Sequence, residues 1–195
     1  MKRAIDVVLA GAALVVLAPV LAVLGVLVRF KLGSPVLFRQ ERAGRNAEPF
    51  VLTKFRSMTD ARGPDGALLP DDQRLPAFGR MLRSTSLDEL PELVHVLRGE
   101  MSLVGPRPLP VAYLERYSPR QARRHEVRPG LTGWAQVNGR NTTDWPERLE
   151  MDVWYVEHRS VWLDLRIIVR TLAVVFGRGG VSADGHATMT EFRGD

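Results

Sequence analysis

The chain has 195 residues, which leaves room for one domain with a modest core. Its net charge is +5 and its pI about 10.2, and arginine supplies nearly all of the basic side chains: the lysines are Lys2, Lys31 and Lys54. Codon bias produces such a ratio, and so does a need for fork-shaped phosphate donors, so nucleic acid, anionic lipid and nucleotide substrates stay open; the absence of cysteine excludes disulfides, thiolate metal sites and a cysteine nucleophile, and fits a reducing compartment.

From Val7 to Val28 the sequence reads VVLAGAALVVLAPVLAVLGVLV, without a charge. A bilayer crossing takes about 20 apolar residues, so the run is long enough to span. It is too long for the apolar region of a cleaved signal peptide, and no small-residue cleavage site follows it. Pro19 sits near the middle, where it removes a backbone hydrogen bond and bends a helix. Lys2 and Arg3 precede the run and Arg29 and Lys31 follow it, and basic flanks prefer the cytoplasmic side. Two readings follow: a kinked, tilted span, or a re-entrant segment that turns at Pro19 and returns. In the second, each half is roughly 15–20 Å long, too short to cross alone.

Two β-prone runs come next, Pro35–Gln40 and Pro49–Phe55, around a turn at Gly44–Asn46, and read as a hairpin. Asp60 to Pro76 is rich in Gly, Pro and Asp and reads as a surface loop. AFGRMLR forms a short helix, and Asp88 to Arg98 an amphipathic one with Leu90, Leu93, Val94 and Leu97 on one face and Gly99 as its stop. SLVGPRPLP is an extended loop fixed by prolines. Val111 to Glu126 is helical and basic; its arginines face either solvent or anionic headgroups. RPGLTGWAQVNGRN is a Gly-rich loop with binding potential. Trp145 to His158 and Trp162 to Phe176 are two further helices. The second packs in a core or lies flat in a membrane interface with Trp162 at headgroup level. His95 and His125 read as helix-surface or packing residues. The fold class is α+β, mostly helical with a small β-hairpin.

The segment TSLDELPEL (85–93) places Asp88 and Glu89 side by side before Pro91. Ser86-x-x-Glu89 matches a capping box, and acids favour a helix N-terminus. Pro91 disturbs that register, because with Ser86 as N-cap its missing N–H falls inside the helix. Asp88 is the better N-cap. The neighbourhood offers a second role. Arg80 and Arg83 precede the acids, Lys54 and Arg56 end a predicted strand, and prolines fix Arg107 in GPRP. A carboxylate can attack phosphorus, and a neighbouring one can hold Mg2+ or move protons. Spacing alone leaves the capping and the chemical readings both standing.

The blocks SPVLFRQERAG, FVLTKFRSM, LRSTSLDELPELVHVLRGEMSLVGPRPL, VRPGLTGWAQVNGRN, LEMDVWYVEHRSVWLDLRII and SADGHATMTEFRG, in this order and covering nearly the whole chain, resemble the bacterial sugar transferase family, the monotopic phosphoglycosyl transferases, in its minimal catalytic form. The resemblance implies transfer of a sugar-1-phosphate from a UDP-sugar to a polyprenyl phosphate, usually undecaprenyl phosphate, with release of UMP and a requirement for Mg2+. It implies that Asp88 attacks the β-phosphate and that the acceptor then attacks the phospho-sugar on Asp88. Glu89 supports Mg2+ with Asp88 and deprotonates the acceptor. Arg83, Arg107 and Lys54 match phosphate contacts. Arg128, Gln136, Asn138 and Arg140 are candidates for nucleotide or sugar contacts, with Trp134 for stacking or packing. Asp164 and Asp152 match family acids, Asp164 as a candidate substrate contact.

The resemblance also implies a re-entrant helix-break-helix at residues 1–31 with both ends cytoplasmic, and a catalytic domain at 32–195 held by interfacial amphipathic helices on the cytoplasmic face of the bacterial inner membrane. Here the bend reads Ala18-Pro19 where many relatives have Ser-Pro, so the hydroxyl that satisfies a freed carbonyl is missing. The implied partners are the UDP-sugar, the polyprenyl phosphate and membrane lipids, with no nucleic acid; homo-oligomers stay open. SADGHATM is similar to the ending of small members acting on N-acetylated or modified amino sugars. A competing class is a non-catalytic, membrane-anchored basic module that binds nucleic acid or anionic lipid, supported by the pI and the arginine run.

Overall fold

A computed structural model describes residues 1–139, 144–176 and 191–194. It is mostly helical, with two small sheets and a long apolar N-terminal helix. Helix α1 (Lys2–Leu32) runs through Pro19 without interruption, so the expected helix-break-helix is one continuous helix. A proline removes a single N–H, and the flanking apolar residues keep the helical path on either side of it. One face of α1 packs on the domain along its length: Asp6, Ala10, Leu24, Val28 and Leu32 are buried, and Ala13, Leu14, Leu17 and Leu21 between them pack against the same apolar residues. The other face, with Val8, Val15, Val16, Val23 and Phe30, is exposed.

Strands β1 (Leu37–Ala43) and β2 (Pro49–Phe55) form the expected hairpin, in register from Leu37 opposite Phe55 to Ala43 opposite Pro49. Its turn places Asn46 and Ala47 at φ 56° and 61°; asparagine tolerates that region because its short amide bonds locally. The loop after β2 contains one turn of helix, α2 (Asp71–Arg74), and leads into α3 (Ala77–Ser84). A 3₁₀ segment (Leu87–Glu92) and then α4 (Leu93–Arg98) replace the single helix expected from Asp88 to Arg98. Pro91 lacks the N–H that a helix starting at Leu87 would use there, so the regular α-helix begins only after it. Gly99, at φ 88°, ends α4.

Strand β3 (Ser102–Val104) pairs in parallel with β4 (Gly130–Thr132), so the predicted Gly-rich loop is part strand, followed by α6 (Trp134–Asn138). The helix expected over Val111–Glu126 is three pieces: a 3₁₀ segment (Val111–Arg116), α5 (Pro119–Ala122) and another 3₁₀ segment (Arg123–Glu126). Tyr117 and Ser118 are extended between them. A residue before proline avoids the helical region, and Pro119 then starts a new helix capped by Ser118. Helices α7 (Trp145–His158) and α8 (Val161–Phe176) agree with the sequence pattern.

Three apolar clusters hold the domain. Ala10 of α1 joins Leu52, Leu93, Val96 and Met101. Leu24, Val28 and Leu32 of α1 join Phe55 and Leu82. Val104, Tyr155, Leu163 and Ile167 tie β3 to α7 and α8. Helix α1 therefore contributes to two of the three clusters, at separate points along its length. Its first turn is also pinned. Lys2 donates to the Val104 carbonyl (3.1 Å) and to Asp164 (2.6 Å), and Arg3 donates to the Val96 and Leu97 carbonyls at the end of α4 (2.5 and 2.8 Å). Asp6 accepts from Ser102 Oγ (2.9 Å) and the Leu103 N–H (3.1 Å).

Candidate active site

The site is built where α3, the 3₁₀ segment and the end of β2 meet. Gly79 lets α3 approach the chain just after β2: a Cβ there would lie 1.9 Å from the Ser57 carbonyl oxygen. The approach brings Arg83 Nε to Ser57 Oγ (2.9 Å). The chain then reverses through Ser86, which holds φ 55°. A non-glycine residue there stores on the order of 1 kcal/mol of strain, a cost met at functional sites. Asp88 follows as the second residue of the 3₁₀ segment. It is neither the expected N-cap nor a solvated acid: its side chain is buried, 3 % exposed.

Asp88 Oδ2 lies 3.9 Å from Lys54 Nζ, and both groups are largely shielded from water. Burial, then the charge of Glu89, pushes the Asp88 carboxyl up from its usual range, while Lys54, Arg107 and Arg83 oppose the rise. Burial also pushes Lys54 down, opposed by Asp88. Glu89 behaves in the opposite way to Asp88. Burial would raise it, but it forms an ion pair with Arg107 that outweighs burial and holds it below the ordinary value. Arg107 is correspondingly raised, Glu89 being the main cause. Glu92, one turn further on and 3 % exposed, is pushed up to about 8 by burial and by the neighbouring Glu89 and Asp88. Arg42 of β1 is lowered by burial and by Arg107, with Glu92 and Glu89 opposing, and donates to the Pro108 carbonyl (3.3 Å) and Gln40 (2.7 Å).

The loop that presents Arg107 is held on several sides. The Gly105 N–H bonds Thr132 O, the Gly130 N–H bonds Pro106 O and the Ala43 N–H bonds Leu109 O, each at 2.9 Å. A Cβ at Gly130 would sit 2.0 Å from the Gly105 nitrogen, and one at Gly133 2.2 Å from the Gly105 oxygen. The glycines of PGLTG thus let two backbones touch and fix the Arg107 loop.

The remaining candidates lie in other contacts. Arg128 donates to the Gly99 carbonyl (2.7 Å), Gln136 to Leu131 O (3.1 Å), and Asn138 bonds Trp134 O and Arg170. Asp164 is bound by Lys2 and by the Tyr155 hydroxyl (2.6 Å each), and so ties α8 to the start of α1. Asp152 pairs with Arg124. Arg140 and the SADGHATM stretch fall outside the described residues. Trp134 stacks on Trp154 (4.6 Å), a packing role. His95 is buried: it accepts from the Thr53 N–H through Nε2 (3.0 Å), so Nδ1 carries the proton and donates to Glu100 (2.7 Å). The basic stretch 116–128 is not an open cationic face. Arg116 meets Glu191, Arg120 meets Glu150 and Glu157, Arg123 meets Glu126 and Glu157, and Arg124 meets Asp152.

Four cations, Arg42, Lys54, Arg83 and Arg107, thus surround three carboxylates, Asp88, Glu89 and Glu92. With Glu92 protonated at neutral pH the cluster is net positive and suited to a polyphosphate. The chain matches the family model described as Bacterial sugar transferase over residues 1–178. It belongs to the bacterial sugar transferase family.

Among relatives of this bacterial sugar transferase, Uncharacterized sugar transferase EpsL of Bacillus subtilis (strain 168) is 53% identical over 167 residues, covering 86% of this chain and 83% of that protein. UDP-glucose:undecaprenyl-phosphate glucose-1-phosphate transferase of Escherichia coli (strain K12) is 43% identical over 184 residues, and the match covers 88% of this chain but only 39% of the relative. A protein of the same name from Caulobacter vibrioides is 43% identical over 181 residues, covering 88% of this chain and 68% of that one. The sequence reading of the sugar transferase missed Glu92 and Arg42. Glu92 falls inside the helix expected from Asp88 to Arg98, and Arg42 between the two expected strands; no local signal marks either.

Proposed function

We propose that the chain transfers a sugar-1-phosphate from a UDP-sugar to undecaprenyl phosphate, or a similar polyprenyl phosphate, with release of UMP. The observation that carries this reading is a buried Asp88, 3.9 Å from Lys54, next to the Glu89–Arg107 ion pair and within the field of Arg83. In the first step an Asp88 oxygen attacks the β-phosphorus, the bond from that phosphorus to the bridging oxygen breaks, and UMP departs with the bridging oxygen. In the second, the acceptor phosphate oxygen attacks the same phosphorus and the Asp88–phosphorus bond breaks. The product is a polyprenyl-diphospho-sugar and Asp88 is regenerated. Lys54, Arg83 and Arg107 offset the charge that develops on the transferring phosphoryl oxygens. Glu89, ion-paired with Arg107, takes the acceptor's proton in this reading.

Mg2+ belongs to this reading. Asp88 and Glu89 supply hard oxygen donors, and Mg2+ takes one or two carboxylates and completes its shell with substrate phosphates and water. Among the described residues no group of three or more acidic or histidine side chains comes together as a metal cage, so the diphosphate would complete the coordination. When bound, the ion would neutralise diphosphate charge.

The chain works at a membrane surface, the cytoplasmic face of the bacterial inner membrane. One face of α1 rests on the domain from its first turn to its last, through Lys2, Arg3, Asp6, Ala10, Leu14, Leu17, Leu21, Leu24, Val28 and Leu32, while Val8, Val15, Val16, Val23 and Phe30 on the other side are exposed. That pattern supports a membrane anchor over residues 1–31 whose two ends stay on one side, and a catalytic domain over 32–195. On α8, Trp162, Leu165, Val169 and Leu172 form an exposed apolar stripe fit to lie in the interface.

The deciding experiment is UMP release from a panel of UDP-sugars by the full chain in lipid, with and without undecaprenyl phosphate. Wild type releases UMP and accumulates a phospho-sugar adduct when acceptor is withheld; Asp88→Asn does neither. Normal turnover by Asp88→Asn removes the nucleophile assignment.

A further inference from the structure

We propose that Asp152 and Arg124 are positioning residues for Arg107: Asp152 orients the Arg124 guanidinium, Arg124 fixes the Arg107 main chain, and Arg107 holds Glu89 beside Asp88. The proposal rests on the reading of Asp88 and Glu89 as the reacting pair.

Arg124 and Asp152 are 2 % and 6 % exposed. Arg124 Nε and Nη2 donate to Asp152 Oδ2 at 3.1 and 2.8 Å. The same Nη2 donates to the Arg107 carbonyl at 2.7 Å, and Nη1 reaches the Tyr117 hydroxyl at 3.4 Å. The guanidinium carbon also lies 5.7 Å from the Tyr117 ring centroid. A buried guanidinium needs a carboxylate, and Asp152 meets that need. The bond to Arg107 is a separate matter. Pro108 follows Arg107, so the peptide that joins them has no N–H. Its carbonyl is the single strong hydrogen-bonding group on that peptide plane. Whatever holds that carbonyl sets the plane, and with it the direction in which the Arg107 side chain leaves the loop. Arg124 holds it, and the Arg107 side chain, half-exposed, runs to Glu89.

The arrangement spans three separate elements. Asp152 comes from α7, where Leu149, Val153 and Tyr155 are buried around it. Arg124 comes from the 3₁₀ segment after α5. Arg107 lies in the loop after β3. A purely structural ion pair would only tie α7 to the 3₁₀ segment, and its loss would act on activity independently of Arg107. A relay acts through Arg107 alone.

The test is a double-mutant cycle on UMP release, with the full chain in lipid. Arg124→Met combined with Asp152→Leu removes both charges and leaves none stranded in the interior. Arg124→Lys keeps the pairing with Asp152 but has no fork to reach the Arg107 carbonyl as well. Each is made alone and on an Arg107→Lys background, with melting temperatures in parallel. The relay predicts that each lowers kcat about tenfold to a hundredfold, the scale of a misplaced catalytic group. It further predicts that the same changes cost less than about twofold once Arg107→Lys is present. Losses that multiply on the Arg107→Lys background overturn the relay, as does a wild-type rate in Arg124→Lys or in Arg107→Lys. If the paired variant does not fold, the Arg124→Lys cycle decides. A wild-type chain that releases no UMP from any UDP-sugar defeats the transferase reading instead, and is told apart by that control.

Discussion

Burial beside two other carboxylates sets the proton of Glu92. Its carboxyl is pushed up to about 8 by desolvation and by Glu89 and Asp88. In the unfolded chain it titrates near its ordinary value, so between about pH 4.5 and 8 the unfolded state has lost a proton that the folded state keeps. Stability from this group is complete at low pH and is lost as pH rises through that window. Glu92→Gln mimics the protonated form and has nothing to lose. The melting temperatures of wild type and Glu92→Gln should be close at pH 5, diverge in favour of the variant up to pH 8, and stay parallel above it. A constant gap from pH 5 to 9 would show that Glu92 does not titrate in this way. The same residue scale separates the dyad. Asp88 is raised and Glu89 lowered because Arg107 pairs with only one of them. In the proposed reaction the more basic carboxylate is the nucleophile, and Arg107 keeps the other ionised. Asp88, Glu89, Lys54, Arg83 and Arg107 were legible in the sequence because each sits in a short stretch with its own signal: the dyad before a proline, lysine at a strand end, arginine between prolines. The ion pairs of Asp152 and Asp164 were not. Their partners, Arg124 and Lys2, are distant in sequence, and no local pattern pairs them.

At the scale of elements, proline and glycine account for most of what the sequence pattern conveyed and most of what it concealed. The apolar periodicity of α7 and α8 gave their bounds to within a residue, because packing and periodicity agree there. The stretches 88–98 and 111–126 share that periodicity, yet Pro91 and Pro119 divide them into 3₁₀ and α pieces. Periodicity does not report a missing N–H. The PGLTG glycines signalled a loop, but they serve a close contact between two backbones, a property of the partner strand rather than of the stretch itself. Gly130→Ala tests this. Its Cβ would meet the Gly105 nitrogen at 2.0 Å, a backbone atom that cannot swing aside. Overpacking of this kind costs about 1–3 kcal/mol, and here the strain falls on the loop that carries Arg107. Gly130→Ala should therefore lower the melting temperature and depress kcat for UMP release together. Gly66→Ala, in open space in the 60–70 loop at φ 77°, should cost stability with little effect on kcat. Equal kcat losses in the two variants would detach the β3–β4 contact from the site.

For the molecule as a whole, the question is how an aqueous donor and a lipid-bound acceptor reach one nucleophile. Helix α1 is part of the apolar core at two separate places, and its first turn is bonded to β3 and α4. A helix crossing the bilayer while packed this way would draw the charged 3₁₀ segment and β2 into the hydrocarbon, where each ionised group is costly. A helix that rests on the domain along one face and exposes Val8, Val15, Val16, Val23 and Phe30 on the other lies in one leaflet and keeps the domain at its surface. The lack of native cysteine makes the geometry directly testable. Single cysteines at Ala4, Val16 and Lys31 are all on exposed positions of α1. In sealed vesicles of known orientation, a membrane-impermeant maleimide should label Ala4→Cys and Lys31→Cys from the cytoplasmic side only. Val16→Cys should be shielded from both sides until detergent is added. Labelling of Ala4→Cys and Lys31→Cys from opposite sides would require α1 to cross, and crossing is incompatible with Lys2, Arg3 and Leu32 all contacting the same domain. The domain contacts seen at both ends of α1 would then have to break on insertion. A matching fall in the protection of the Leu103 amide, which donates to Asp6, from hydrogen exchange in lipid would accompany that outcome, whereas an anchor lying in one leaflet predicts that its protection persists.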